Sequence, residues 1–258
     1  MPTRSQGADA DREPRPLSGL APFEPGDFHG LSEACAADPW YDDRRLVARR
    51  KLGTLAKEVV RRAKGLGLAL DSRTSLHRPT TFNGMRVRRI WAYMMRPKAE
   101  KTRLRRVLGA DLAKDLDAAF RNAYLCLALE ADALEVSLRI HADAWYDGQN
   151  LVRRVKAEGP DGWLTLLNEL DGFRLRLADW KGEWVCGRLD RDRLEEFLGY
   201  WVPGEHALAV EARLPVPPGD AAAATAEDLP ERLVGEALRL VPLYRYAAWS
   251  AESDFLFG

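Results

Sequence analysis

Arginine suits phosphate because its planar guanidinium offers a two-toothed fork, and this chain concentrates it in one stretch. Residues 44–106 hold 20 Lys and Arg against three acids, Glu58, Asp71 and Glu100, a net +17. The 43 residues before it carry three basic and nine acidic residues, and those after it 16 and 27, so the whole chain is neutral. The candidate nucleic-acid-binding residues are Arg50, Lys57, Arg61 and Arg62 on a basic helix, Arg86, Arg88 and Arg89 opening a strand, and Lys101 and Arg105 on the next helix. Trp91 and Tyr93 follow the strand arginines, and base stacking on such rings contributes about 1–3 kcal/mol each. Several phosphate contacts would make the affinity fall steeply with salt. An acidic protein surface satisfies the same charge pattern. A third outcome is that the +17 segment folds against the acidic remainder, pairing its charges internally and making Trp91 and Tyr93 core residues.

Pro160-Asp161 followed by Asp179-Trp180-Lys181 is a literal match to the PD-(D/E)xK nuclease pattern. There, two carboxylates hold Mg²⁺ or Mn²⁺ and the lysine orients or activates the attacking water. Asp161, Asp179 and Lys181 are therefore the catalytic candidates of an alternative reading, and a divalent cation is expected only under it. Asp161 reads as a helix cap and Lys181 as a hairpin tip, both departures from the pattern. A third cluster is His141-Ala-Asp143 with Asp147, beside Glu135 and Arg139, where a surface polar cluster is expected rather than a metal site. The sequence holds no G-x-S-x-G, no P-loop and no dinucleotide-binding glycine fingerprint, so the reading leans away from an enzyme.

An apolar fraction of 46% with eight Trp is ample for a packed core. Cys35, Cys126 and Cys186 are an odd, widely spaced set without a CxxC pair, which argues against disulfides and a structural zinc. No apolar run reaches the ~18 residues of a membrane span, and the polar, Pro-rich start has no signal-peptide core. The expected compartment is the cytoplasm, with no membrane partner. Self-association is left open, and the Arg, Ala, Leu and Gly richness is that of a high-GC bacterium.

The elements that must position these residues follow from periodicity. Residues 1–43 are expected to form an irregular, acidic, Pro-rich arm, either anchored by Phe23, Phe28, Trp40 and Tyr41 or laid over the basic segment. Residues 44–258 are expected to form one α+β domain, basic over 44–106 and acidic over 107–258. The spacing predicts a helix over 43–65, a loop over 73–84 turning at Asn83-Gly84, a strand over 85–96 and a helix over 98–122. Alternation then gives a hairpin near 125–140. Helices capped by Asp147 and Asp161, a second hairpin over 173–188, a helix capped by Asp190, a strand over 206–214 and a helix from Asp228 complete the order. A mixed or antiparallel sheet of about six strands with helices packed on it accommodates this order. The aromatic tail after Pro242 must dock on the body.

Overall fold

Alternating apolar residues build a seven-stranded sheet in this computed structural model, which describes residues 22–178, 180–216 and 225–257. The strands are β1 (Asp71–Thr74), β2 (Arg89–Met95), β3 (Ala123–Glu130), β4 (Ala133–Ile140), β5 (Arg174–Leu177), β6 (Glu183–Val185) and β7 (Leu208–Pro215). They lie in the order β1-β2-β3-β4-β7-β5-β6, with every neighbouring pair antiparallel. The fold is α+β, as the element order requires. No helix among the described residues is long and apolar enough to cross a membrane.

The helices are α1 (Pro25–His29), α2 (Asp42–Gly65), α3 (Lys98–Leu108), α4 (Trp145–Glu158), α5 (Asp161–Asn168), α6 (Arg191–Tyr200), α7 (Leu229–Arg239) and α8 (Val241–Ala247). The stripe Leu52, Leu55, Ala56, Val59 and Ala63 of α2 is buried, each large side chain contributing about 1.5–3 kcal/mol on burial. It joins one continuous core with Leu233, Val234 and Ala237 of α7. Every strand residue in this core, such as Ile90, Ala92 and Met94, comes from one face of the sheet. A smaller cluster joins Leu104, Leu108 and Leu116 to Tyr146 and Trp249, while Leu243, Tyr244 and Tyr246 enter the main core, so the aromatic tail docks on both.

Several local expectations change. The helix begun at Lys98 stops at Leu108, because Gly109 (φ +82°) leaves helical geometry and Asp115 (φ +56°) turns the chain again. Leu104, Leu108, Leu112, Leu116 and Phe120 recur every fourth residue, the spacing behind the expected helix over 98–122, yet Leu112 and Phe120 are exposed while Leu104, Leu108 and Leu116 are buried. The strand expected from Met85 begins at Arg89, while the Val87 N–H is taken by the Ala36 carbonyl (2.8 Å). Asp71–Thr74, read partly as loop, pairs with β2 as an edge strand. Asp147 is no cap: it lies inside the first turn of α4, fully buried. Asp161 likewise follows its cap, Pro160.

The described part of the arm does two things at once. Phe23 and Phe28 enter the core, while Trp40, expected as an anchor, stands 87% exposed. Its acids reach the basic segment through Glu24–Arg44 (3.0 Å), Asp27–Lys51 (2.7 Å) and the Glu33 pairs with Arg86 and Arg88. Residues 1–21 lie outside the described residues.

Candidate nucleic-acid interface

The second face of the sheet is built from the positions the core does not use. Strand alternation sends Arg89, Trp91 and Tyr93 of β2 to this face, opposite Glu130, Ala128 and Cys126 of β3. Glu135, Ser137 and Arg139 of β4 continue it, next to Arg213, Glu211 and Ala209 of β7. A carboxylate–guanidinium ladder crosses the middle. Glu135 accepts from Ser137 Oγ (2.6 Å), Arg139 Nη2 (2.8 Å) and Arg89 Nη2 (2.8 Å). Glu211 accepts from Arg139 Nη2 (2.9 Å) and Arg176 Nη1 (2.8 Å).

Burial alone would raise the Glu135 carboxyl, but Arg139 and Arg89 outweigh it and hold the group below the usual carboxylate range. Burial pushes the Cys126 thiol up to about 12, so it stays protonated and unreactive at neutral pH. Burial likewise pushes Tyr124 up to about 12.

At the β1–β2 end the face changes character and forms a groove of about 560 Å³. Phe82, Trp91, Tyr93 and Phe120 line it together with Arg86, Arg88 and Arg89. The Arg89 guanidinium lies 5.9 Å from the Trp91 ring centre, within cation–π range. Phe82 is 93%, Phe120 44% and Trp91 36% exposed. Such rings are normally withdrawn from water, so three of them exposed around one groove form an unusual apolar surface.

The loop that presents Phe82 is held rather than slack. Thr80 N–H donates to Asn83 Oδ1 (2.7 Å), Asn83 Nδ2 donates to the Arg78 carbonyl (2.7 Å), and Met85 N–H donates to the Thr80 carbonyl (2.7 Å). Gly84 (φ +62°) and Met85 (φ +58°) both take left-handed backbone, which costs a residue such as Met about 1–2 kcal/mol. Arg78 also pairs with Asp42 (3.7 Å), so the loop runs beside the segment bearing Trp40.

The nine basic candidates are not brought together. Arg86, Arg88 and Arg89 line the groove, with Arg86 and Arg88 sharing Glu33 and Arg89 engaging Glu135. Arg50 and Lys57 are exposed on α2. Arg61 donates to Glu58 (2.6 Å), and Arg62 is half-buried between Glu58 and Glu231. Lys101, expected at the interface, is buried with its ammonium on Asp117 (3.0 Å). Arg105 is exposed on α3. Thirteen of the 20 basic residues of 44–106 sit in ion pairs, so charge density along the chain becomes internal pairing more than a continuous patch. Phe82 and Phe120 were not singled out from the sequence. The Asn83-Gly84 turn beside Phe82 was the available signal, since a ring at a tight turn has little core to enter.

Asp161 is exposed at the start of α5 and pairs with Arg191 (2.5 Å). Lys181 is exposed between β5 and β6, and Asp179 lies outside the described residues. Among the described residues no group of three or more His, Cys, Asp and Glu side chains could hold a metal ion. His141 accepts from the Asp143 N–H (3.2 Å) at the surface, while Asp147 has turned inward to Arg96. No protein-family model and no curated protein matches the chain.

Proposed function

We propose that the protein is a non-catalytic binding protein whose groove at the β1–β2 end takes single-stranded nucleic acid. The observation that carries this reading is four aromatic side chains, Phe82, Trp91, Tyr93 and Phe120, lining one groove with Arg86, Arg88 and Arg89. Rings of this kind stack on bases regardless of sequence, and the arginines supply phosphate contacts and cation–π support. Two arginines on the single carboxylate of Glu33 leave a local positive charge. The pairs are exposed, so a phosphate can compete for them at little cost.

A roughly 12-nucleotide labelled single strand, followed by fluorescence anisotropy, tests the reading. Binding is expected at low salt, with a linear fall of log K against log salt. Trp91→Ala and Phe82→Ala should each weaken it by about 1–3 kcal/mol. No anisotropy change at about 50 mM salt defeats the proposal.

A second reading, an acidic protein partner, is favoured by one observation. Arg86 and Arg88 share the single carboxylate of Glu33 beside exposed aromatic rings, and aromatic and arginine side chains carry much of the binding energy at protein interfaces.

A further inference from the structure

We propose that a single strand held in the aromatic groove leaves it past Arg49 and continues along the exposed side of α2, where Arg50, Lys57 and Lys64 hold its phosphates. Such a path rests on the groove being a single-strand site, and it sets where the rest of the strand lies.

Of the 20 basic residues in 44–106, seven have no acidic partner among the described residues. Arg49, Arg50, Lys57 and Lys64 lie on α2, and Lys98, Arg105 and Arg106 on α3. Arg50, Lys57 and Lys64 follow one another at intervals of seven, which returns a residue to nearly the same side of a helix every two turns. They form one row about 21 Å long, with a cation about every 10.5 Å. All three are exposed.

The acids nearby do not cancel this row. Between Arg50 and Lys64 the helix carries six cations and one acid, Glu58. Asp27 offsets Lys51, and Glu231 offsets Arg62, which leaves a net +3. Glu58 itself is taken by Arg61 (2.6 Å) and Arg62 (2.6 Å). Asp43, the exposed acid at the start of the helix, stands about two turns before Arg50. The apolar stripe of α2 is buried in the core, so the helix has no apolar face to lower into a lipid surface. A flexible polyanion fits the row better.

Arg49 joins the row to the groove. Its Nε donates to Thr74 Oγ1 (2.7 Å) and its Nη1 to His77 Nδ1 (3.0 Å), and Thr74 belongs to the groove lining. Burial, then the charges of Arg49 and Arg78, holds the His77 imidazole below its usual range, so it accepts from Arg49 as a neutral ring. A guanidinium with two neutral partners keeps its charge for a passing phosphate. No hydrogen bond or ion pair among the described residues joins Lys98, Arg105 or Arg106 to the groove lining. The unpaired cations of α3 therefore serve as a charge-matched control.

Anisotropy titrations of the full chain with a single strand of roughly 12 nucleotides, repeated across a salt series, test the path. On a single strand the slope of log K against log salt is about −0.7 per phosphate neutralised. The triple variant Arg50→Gln/Lys57→Gln/Lys64→Gln should make that slope shallower by about 2. Trp91→Ala should lower K and keep the slope. Lys98→Gln/Arg105→Gln/Arg106→Gln removes the same charge from α3 and should leave the slope unchanged. With a strand of about 4 nucleotides, which the groove alone accommodates, the α2 variant should match the wild type. An unchanged slope in the α2 variant, or an equal change in both triple variants, overturns the path while the groove reading stands. An α2 effect without any loss from Trp91→Ala also overturns it, because α2 then binds the strand independently of the groove. No binding by the wild-type chain removes the groove reading and the path together.

Discussion

Two arginine–carboxylate centres sit on this sheet and behave in opposite ways. At the Arg96–Asp147 centre the carboxylate is fully buried and its oxygens bind one guanidinium and two backbone N–H groups. It ties together β2, the start of β3, α4 and the tail. At the Glu135–Arg139–Glu211 ladder the carboxylates are nearly as buried, yet the arginines lie partly exposed. The lesson is that burial of the acid alone does not define its role. A carboxylate whose partners include main-chain groups from distant segments locks the chain trace, whereas one bound only by side chains shapes a surface.

This difference sets the size of the expected effects. Asp147→Ala should be the most damaging change, since it strands a buried guanidinium and two N–H groups. Urea unfolding should show a loss of about 3–5 kcal/mol. A loss below about 1 kcal/mol would mean that this centre is no different from a surface pair.

Glu135→Ala on the open face should cost less, about 1.5–3 kcal/mol for hydrogen bonds to a charged group, because Arg139 keeps Glu211 and can turn to solvent. The same unfolding experiment ranks the two, and a reversed order would break the comparison.

Acid should sharpen it further through Glu58, whose carboxyl is held down to about 2 by hydrogen bonds from Arg61 and then Arg62, against the opposing effect of burial. A carboxylate with a depressed pKa stabilises the fold fully above its ordinary value of 4.5 and loses that contribution as the pH falls toward 2. The stability gap between the wild type and Glu58→Gln should therefore be present at neutral pH and close between 4.5 and 2. A gap that is flat across this window would contradict the sign.

The smallest structural effect is expected at Glu33, whose exposed carboxylate is held below its usual range chiefly by the hydrogen bond from Arg88. Glu33→Gln should leave the melting temperature unchanged and tighten single-strand binding at low salt by freeing Arg86 and Arg88. Unchanged affinity would separate those arginines from the proposed ligand.

Much of the scaffold was legible in the chain. The α2 stripe and the β3–β4 hairpin follow from periods of 3.6 and 2, which reflect backbone geometry alone. The cap at Asp190 is likewise local: its side chain accepts from the Arg193 N–H (2.8 Å). The helix expected over 98–122 failed because Leu residues every fourth position suggest one rod, while Gly109 and Asp115 allow the same residues to reach one small core from a folded-back chain. Trp91 and Tyr93 were equally consistent with core or surface, since a strand inside a sheet has two faces and the sequence does not say which one the helices cover.

By itself, then, the sequence determined the α+β class, the main helices and hairpins, the seventeen excess positive charges of 44–106 and the acids available to meet them. Those properties depend on neighbours within a turn or a hairpin. Tertiary structure alone decided that Asp147 faces inward to Arg96, that Glu33 and Glu135 reach the groove arginines, and that Phe82 and Phe120 line one groove with Trp91. Each of those contacts joins residues brought close only when the sheet is assembled, with separations such as the 46 positions between Arg89 and Glu135. Charge along a chain is additive, but charge on a surface depends on which partner each group finds when the chain folds.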